Sequence, residues 1–133
     1  MEQLVFFYGT LMAAFSGPWR RDVGHLLVFR GRGSIAAALF DLGNYPAAVS
    51  VPDSRVRGEL YEITGPDAVL KTLDEFEGYL PAQPEASLYT RSLTLVTLED
   101  GAQVDAWAYF YNAPLGRAER IASGDYLQYL ESR

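Results

Sequence analysis

Glu77 falls on the apolar side of a segment that otherwise reads as a short amphipathic helix. Over Pro66–Gly78 (PDAVLKTLDEFEG) the residues Val69, Leu70, Leu73 and Phe76 recur at helical spacing, and position 77 continues their stripe. A carboxylate on an inward face costs on the order of several kcal/mol unless it is paired or kept neutral. The last turn of a helix also disfavours negative charge. Both effects raise the pKa of such a group toward the range of a general acid or base. The competing reading is that the helix unwinds at Phe76 and lets Glu77 escape to water; the pattern by itself leaves both open.

Other residue types with chemical reach lie elsewhere in the chain. Tyr8-Gly9-Thr10-Leu11 directly follows an apolar run. A glycine there lets the backbone turn and approach a ligand closely. Amides of such a turn that point one way make an anion-binding concavity, and Thr10 adds a hydroxyl donor. An ordinary strand-ending turn would look the same over four residues. Tyr45 is presented by the turn Gly43-Asn44-Tyr45-Pro46. Arg91 suits a substrate carboxylate, and equally an ion pair with Asp74, Glu75 or Glu77. Tyr111 shares a strand face with Tyr109 and is a candidate hydroxyl donor, with core packing as its alternative. Asp67, Asp74 and Glu75 read as the solvated side of the helix.

These residues need elements to hold them. Leu4–Tyr8 (LVFFY) is continuously apolar and reads as a strand covered on both faces. Residues 12–24 read as irregular, with a turn at Gly17-Pro18 and a solvated basic spot at Trp19-Arg20-Arg21. Gly31–Leu42 is assigned to a strand despite its three alanines. Pro46–Val51 reads as a short strand closed by Pro52-Asp53, and Val56–Ile63 as an alternating one. Pro66 suits the first helical position, and Gly78 the left-handed residue that ends the helix. Leu88–Leu98 and Val104–Tyr111 form a hairpin around Asp100-Gly101. Apolar residues on both faces of the second hairpin strand are explained by closure of the sheet. Residues 117–131 are expected to end in a short helix. The order gives one α+β domain over residues 1–133, a mostly antiparallel sheet with one main helix.

Composition removes several classes of function. The chain has 133 residues, no cysteine, a single histidine (His25) and a net charge of −6. Thiolate chemistry, a disulfide framework and a histidine-rich metal site are therefore excluded. The acidic balance argues against a nucleic-acid partner. The start, MEQLVFFYG, is too short an apolar run for a signal peptide, and no stretch approaches a membrane span. A cytoplasmic protein is expected.

Six pieces in this order and spacing resemble the γ-glutamylcyclotransferase-like family: YGTL (Tyr8–Leu11), LGNYPA (Leu42–Ala47), VRGELYEI (Val56–Ile63), LDEFEG (Leu73–Gly78), YTR (Tyr89–Arg91) and AWAYFY (Ala106–Tyr111). They span residues 4 to about 112, and the short chain is similar to the small branch that includes γ-glutamylamine cyclotransferase-like proteins. The resemblance implies a small mixed β-barrel with a cavity between the first-strand loop and the helix glutamate. It implies release of 5-oxoproline from a γ-glutamyl amide, with Glu77 as the catalytic residue. Tyr8, Gly9, Thr10 and Leu11 would form the substrate loop. A small γ-glutamyl compound is the implied partner; no metal, organic cofactor or protein partner is expected. The chain departs from the pattern after YGTL, where Met12-Ala13-Ala14-Phe15 replaces the basic or polar residue of relatives, and in the proline-bearing stretch between Gly78 and Tyr89.

Two other functions fit the same residues. A binding module would hold a carboxylated metabolite in this cavity without turning it over. An amide-cleaving acyltransferase would use an external amine or water in place of the substrate's own amine.

Overall fold

The computed structural model describes residues 3–12 and 23–132. The expected turn at Gly17-Pro18 and the basic spot at residues 19–21 lie outside the described residues. The strands are β1 (Gln3–Phe7), β2 (Leu27–Asp41), β3 (Pro46–Ile63), β4 (Tyr89–Leu98), β5 (Gln103–Tyr111) and β6 (Glu119–Arg120). The helices are α1 (Pro66–Glu77) and α2 (Tyr126–Glu131), and single 3-10 turns occupy Gly24–Leu26 and Pro84–Ala86.

Five strands close into a barrel. β1 pairs antiparallel with β3 and parallel with β5, β5 continues to β4 and β2, and β2 pairs back onto β3. The two-residue β6 extends the far end of β2. Closure leaves few unpaired edges and buries both faces of β1, where Val5, Phe6 and Phe7 are all in the core.

β3 is one strand where the sequence suggested two. Its pairing with β2 runs Ala36 with Arg55 and then Ala37 with Ser50, so residues 51–54 have no partner on β2. Pro52 and Asp53 therefore bulge out instead of ending the strand. A proline without an amide proton is tolerated where no ladder bond is required.

The closing corner rests on two glycines. Gly33 of β2 and Gly58 of β3 face each other across the ladder. A Cβ on Gly33 would come within 2.6 Å of the Thr97 carbonyl oxygen on β4, and one on Gly58 within 2.1 Å of the Phe7 carbonyl oxygen on β1. Both neighbouring strands thus cross at a spacing that only glycine permits.

α1 starts at Gly65, left-handed at φ 68°, with Pro66 as its first helical residue. It stops at Gly78, also left-handed at φ 67°, whose amide donates to the Asp74 and Glu75 carbonyls. The β4–β5 hairpin turns at Gly101, with φ 90°, and the Asp100 side chain accepts from the Ala102 amide at 2.9 Å. Among the described residues no helix is long and apolar enough to cross a membrane.

Gly58→Ala should force β1 off β3. Overpacking at backbone contact costs about 3 kcal/mol or more, so the denaturant midpoint should fall by that cost divided by the slope m, with m itself unchanged.

Candidate active site

Asp74 fixes how α1 sits on the barrel. It is 7% exposed, not on the solvated side where its sequence position suggested. Arg91 of β4 and Tyr109 of β5 stand directly opposite each other in the hairpin, and Asp74 engages both. Arg91 Nε donates to Asp74 Oδ1 at 2.8 Å and Nη2 to Oδ2 at 3.2 Å, while the Tyr109 hydroxyl donates to Oδ1 at 2.6 Å. A forked guanidinium on a carboxylate is the strong form of this contact. The guanidinium also lies over the Trp107 ring, 4.5 Å from its centroid.

This clamp rotates the helix relative to its apolar pattern. Val69, Leu73 and Asp74 are the buried positions, and Phe76 is 49% exposed. Glu77 lies three and four residues beyond Asp74 and Leu73, on the same side. The helix runs through Glu77 before Gly78 ends it, so the residue does not unwind into solvent.

Glu77 lines a cavity of about 450 Å³. Phe6, Phe7, Tyr8 and Tyr109 form its inner wall. The turn Gly9-Thr10-Leu11 lies on one side, and Asn44, Tyr45, Pro46, Phe76, Leu88 and Tyr89 complete it. The sequence-derived candidates Tyr8, Gly9, Thr10, Leu11, Tyr45 and Glu77 are all brought together here.

Arg91 and Tyr111 are not. Arg91 is held by Asp74, outside the cavity wall; the ion-pair alternative describes its position. Tyr111 packs edge-on against Tyr89 with ring centroids 5.3 Å apart, one ring removed from the cavity. Tyr109, two residues earlier on the same strand face, takes the cavity position. The period-2 pattern put both tyrosines on the right face but carried nothing about depth along the strand.

The loop after β1 is tightly placed. The Met12 amide donates to the Gly9 carbonyl at 3.0 Å, closing a four-residue turn. A Cβ on Gly9 would come within 2.6 Å of Pro46 Cγ, so glycine is needed for the loop to lie against the start of β3. The amides of Gly9 and Thr10 make no hydrogen bond to any described residue. Two such donors beside a cavity can receive an anionic oxygen.

The buried hydroxyls are tied to the frame. Tyr8 donates to the Tyr109 carbonyl at 2.6 Å, and Tyr89 donates to the Pro46 carbonyl at 2.8 Å. Burial pushes all three phenols (Tyr8, Tyr89 and Tyr109) up, and the nearby Glu77 charge pushes each further. They are neutral donors, not bases.

Glu77 is the titratable centre. No described residue donates a hydrogen bond to its carboxyl group or forms an ion pair with it. Burial lifts its pKa to about 8. Some of its surface remains reachable, but through the cavity, where protein atoms crowd the carboxyl and water solvates it poorly. Arg91 is spent on Asp74, and among the described residues no cation pairs with Glu77. A carboxyl group poised near neutrality can take up and return a proton.

Comparison with known proteins follows the same lines. The sequence profile described as "Gamma-glutamyl cyclotransferase, AIG2-like" matches residues 5–128. The chain is 29% identical over 108 residues to the gamma-L-glutamyl-butirosin B gamma-glutamyl cyclotransferase of Niallia circulans, covering 81% of this chain and 66% of that protein. The chain thus spans just under two thirds of that curated relative's length. Among solved structures, the solution structure of ytfP from Escherichia coli superposes with a TM-score of 0.65 at 28% identity, over 96% of this chain and 98% of that one. The crystal structure of an aig2-like protein from Mus musculus superposes with a TM-score of 0.63 at 26% identity, over 85% and 80%.

Two variants test the geometry. Arg91→Met should strand a buried Asp74 and cost about 3–5 kcal/mol, read as a drop in denaturation midpoint. Glu77→Gln tests the raised pKa. The folded state holds a proton on Glu77 up to about pH 8, whereas the unfolded chain releases it near the usual carboxylate value. Native stability contributed by the neutral form is therefore complete below about pH 4.5 and is lost as pH rises toward 8. The Gln variant should gain stability over the parent across that window, by up to a few kcal/mol, and show no gain at pH 4. Thermal melts at a series of pH values measure this.

Proposed function

The chain belongs to the AIG2-like γ-glutamyl cyclotransferase family, and from that premise we propose that it cleaves a γ-glutamyl amide by attack of the substrate's own α-amine, releasing 5-oxoproline and a free amine. The observation that carries the reading is Glu77: a carboxyl to which no described residue offers a cation or a hydrogen-bond donor, its pKa lifted to about 8, in the same cavity as the amide-bearing loop Gly9–Thr10.

The chemistry follows from the parts. The α-ammonium of the substrate is not nucleophilic until it loses a proton. Glu77, as carboxylate, accepts that proton, and the freed nitrogen attacks the γ-carbonyl carbon to close a five-membered ring. The tetrahedral carbon then expels the original amide nitrogen, which takes the proton back from Glu77 as it leaves. One C–N bond forms and one breaks; the ring nitrogen gives up two protons, one to Glu77 before attack and a second by way of Glu77 after it, and the leaving nitrogen takes up both and departs as its ammonium; no water is consumed. The Gly9 and Thr10 amides receive an anionic oxygen of the γ-glutamyl unit. Holding that end fixes the folded conformer in which amine and carbonyl meet, and much of the acceleration comes from this orientation. Tyr8 and Tyr109 line the same cavity, with their hydroxyls already committed to the frame.

The test is a mass-spectrometric assay for 5-oxoproline after incubation with γ-glutamyl amides. The parent protein should form it, and Glu77→Gln should lower the rate by about 10²–10⁴-fold while still binding substrate. For the parent, kcat/KM should rise with pH up to about 8, as Glu77 ionises. Free glutamate in place of 5-oxoproline would replace cyclisation by hydrolysis; undiminished activity in the Gln variant would remove Glu77 from the mechanism.

A further inference from the structure

Glu77 is the last residue of α1, and the turn behind it is closed by two backward hydrogen bonds. The Gly78 amide donates to the Glu75 carbonyl at 3.3 Å, and the Tyr79 amide donates to the Asp74 carbonyl at 2.9 Å. A helix that ends this way on a left-handed glycine commonly adds an apolar contact between the residue after the glycine and the turn that accepts its amide. Here the residue after the glycine is Tyr79 and the acceptor is Asp74, whose carboxylate offers a ring nothing apolar to pack on.

Arg91 makes the connection instead. Its guanidinium forks onto the Asp74 carboxylate and also lies over the Tyr79 ring, with Cζ 5.7 Å from the centroid. One cation thus holds both ends of residues 74–79, and Glu77 lies between them. The cation is itself fixed. It lies 4.5 Å from the centroid of the Trp107 ring, and the Trp107 indole donates to Gln3 Oε1 at 2.8 Å. A guanidinium whose edge is hydrogen-bonded and whose face meets a π cloud is held in orientation as well as in place.

The end of a helix is otherwise the part that frays. Residues 80–86 are exposed, whereas Tyr79 packs against the core. The Tyr79 hydroxyl makes no hydrogen bond to any described residue, so its ring is the part that acts. Tyr79 does not line the Glu77 cavity, and it reaches Glu77 only through the backbone turn. Such a link matters because a shift of about 1 Å at a reacting group costs on the order of 10²-fold in rate.

We propose that Tyr79 is a positioning residue for Glu77: with Arg91 it fixes the turn that aims the carboxyl into the cavity and limits the water that reaches it. The inference rests on the cyclotransfer reading for what Glu77 does there. The titratable side chains that share the cavity with Glu77 are Tyr8 after β1, Tyr45 before β3, Tyr89 on β4 and Tyr109 on β5. Burial holds the Tyr8, Tyr89 and Tyr109 phenols up, so they stay neutral where Glu77 titrates. Among the described residues no lysine, arginine or histidine lines the cavity, and the Asp74 charge is paired with Arg91. Access of water to Glu77 is therefore what the Tyr79 turn controls.

The titration of Glu77 is the readout that a merely structural residue would not move. Carbon NMR of its carboxyl follows it, with the signal identified by its loss in Glu77→Gln. In the parent the midpoint should lie at about pH 8. In Tyr79→Ala water enters, and the proton affinity of Glu77 should fall by about tenfold or more. With γ-glutamyl-alanine and γ-glutamyl-benzylamide as substrates, kcat should fall about tenfold or more while KM changes less than about twofold. The rise of kcat/KM should begin at lower pH. Tyr79→Phe keeps the ring and should restore both the titration and kcat. Tyr79→Leu keeps apolar bulk without a π face, should behave like the Ala variant, and replaces it if that chain fails to fold. An Ala or Leu variant with the parent's titration and kcat, a loss confined to the melting temperature, or a Phe variant as impaired as the Ala variant would overturn the assignment. A lowered titration restored by Phe, with no 5-oxoproline from the parent, would sustain it and overturn the cyclotransfer reading instead.

Discussion

One carboxylate, Asp74, sets the site by what it holds. It ties α1 to a facing pair on the hairpin, Arg91 and Tyr109, and so fixes the roll of the helix about its own axis. Three consequences come from that roll. Glu77 turns into the cavity, Phe76 turns out to its mouth, and the Arg91 guanidinium is held on Asp74. A helix rolled by one residue position, roughly 100°, would put Phe76 inside and leave the carboxyl in water with an ordinary pKa. The two acidic residues thus have opposite fates: Asp74 is paired with Arg91 and structural, while Glu77 meets no cation among the described residues and faces the cavity.

The barrel supplies the other half. β1 must be covered on both faces to deliver its C-terminal turn to the same place as the helix end, and the Gly33–Gly58 crossing lets the strands close tightly enough to do so. Gly9 then lies against Pro46, and the Tyr89 hydroxyl holds the carbonyl of that same proline. The loop, the start of β3 and the hairpin are therefore joined at one point beside the cavity. Backbone contacts of this kind position donors more sharply than side chains on mobile loops would.

Much of this was legible in the residues. Gly65-Pro66 and Gly78 marked both ends of α1, and Asp100-Gly101 marked the hairpin, because left-handed backbone and a missing amide proton leave few alternatives. Glu77 was visible as a charge on an apolar stripe. The roll of the helix was not: Asp74 looks like a solvated acid until its partners, 17 and 35 residues away in the chain, are known. Pro52-Asp53 read as a strand end, since sequence carries the missing ladder bond but not the bulge that makes it unnecessary. Tyr111 was chosen over Tyr109 for the same sort of reason, as alternation gives a face and not a depth. β6 is too short to leave any periodic trace.

The segment between Gly78 and Leu88 begins and ends on one hydrogen bond, from the Leu88 amide to the Gly78 carbonyl. Inside that neck Ser87 Oγ accepts from the Leu80 amide at 2.8 Å, and from beyond it the Asn112 side chain donates to the Pro84 and Ser87 carbonyls. Its exposed stretch, residues 80–86, can therefore be exchanged with little effect on the helix that carries Glu77, whereas Tyr79 packs against the core under the Arg91 guanidinium. Such a segment is a cassette. Residues there can vary between two fixed posts while the helix end that carries Glu77 keeps its place.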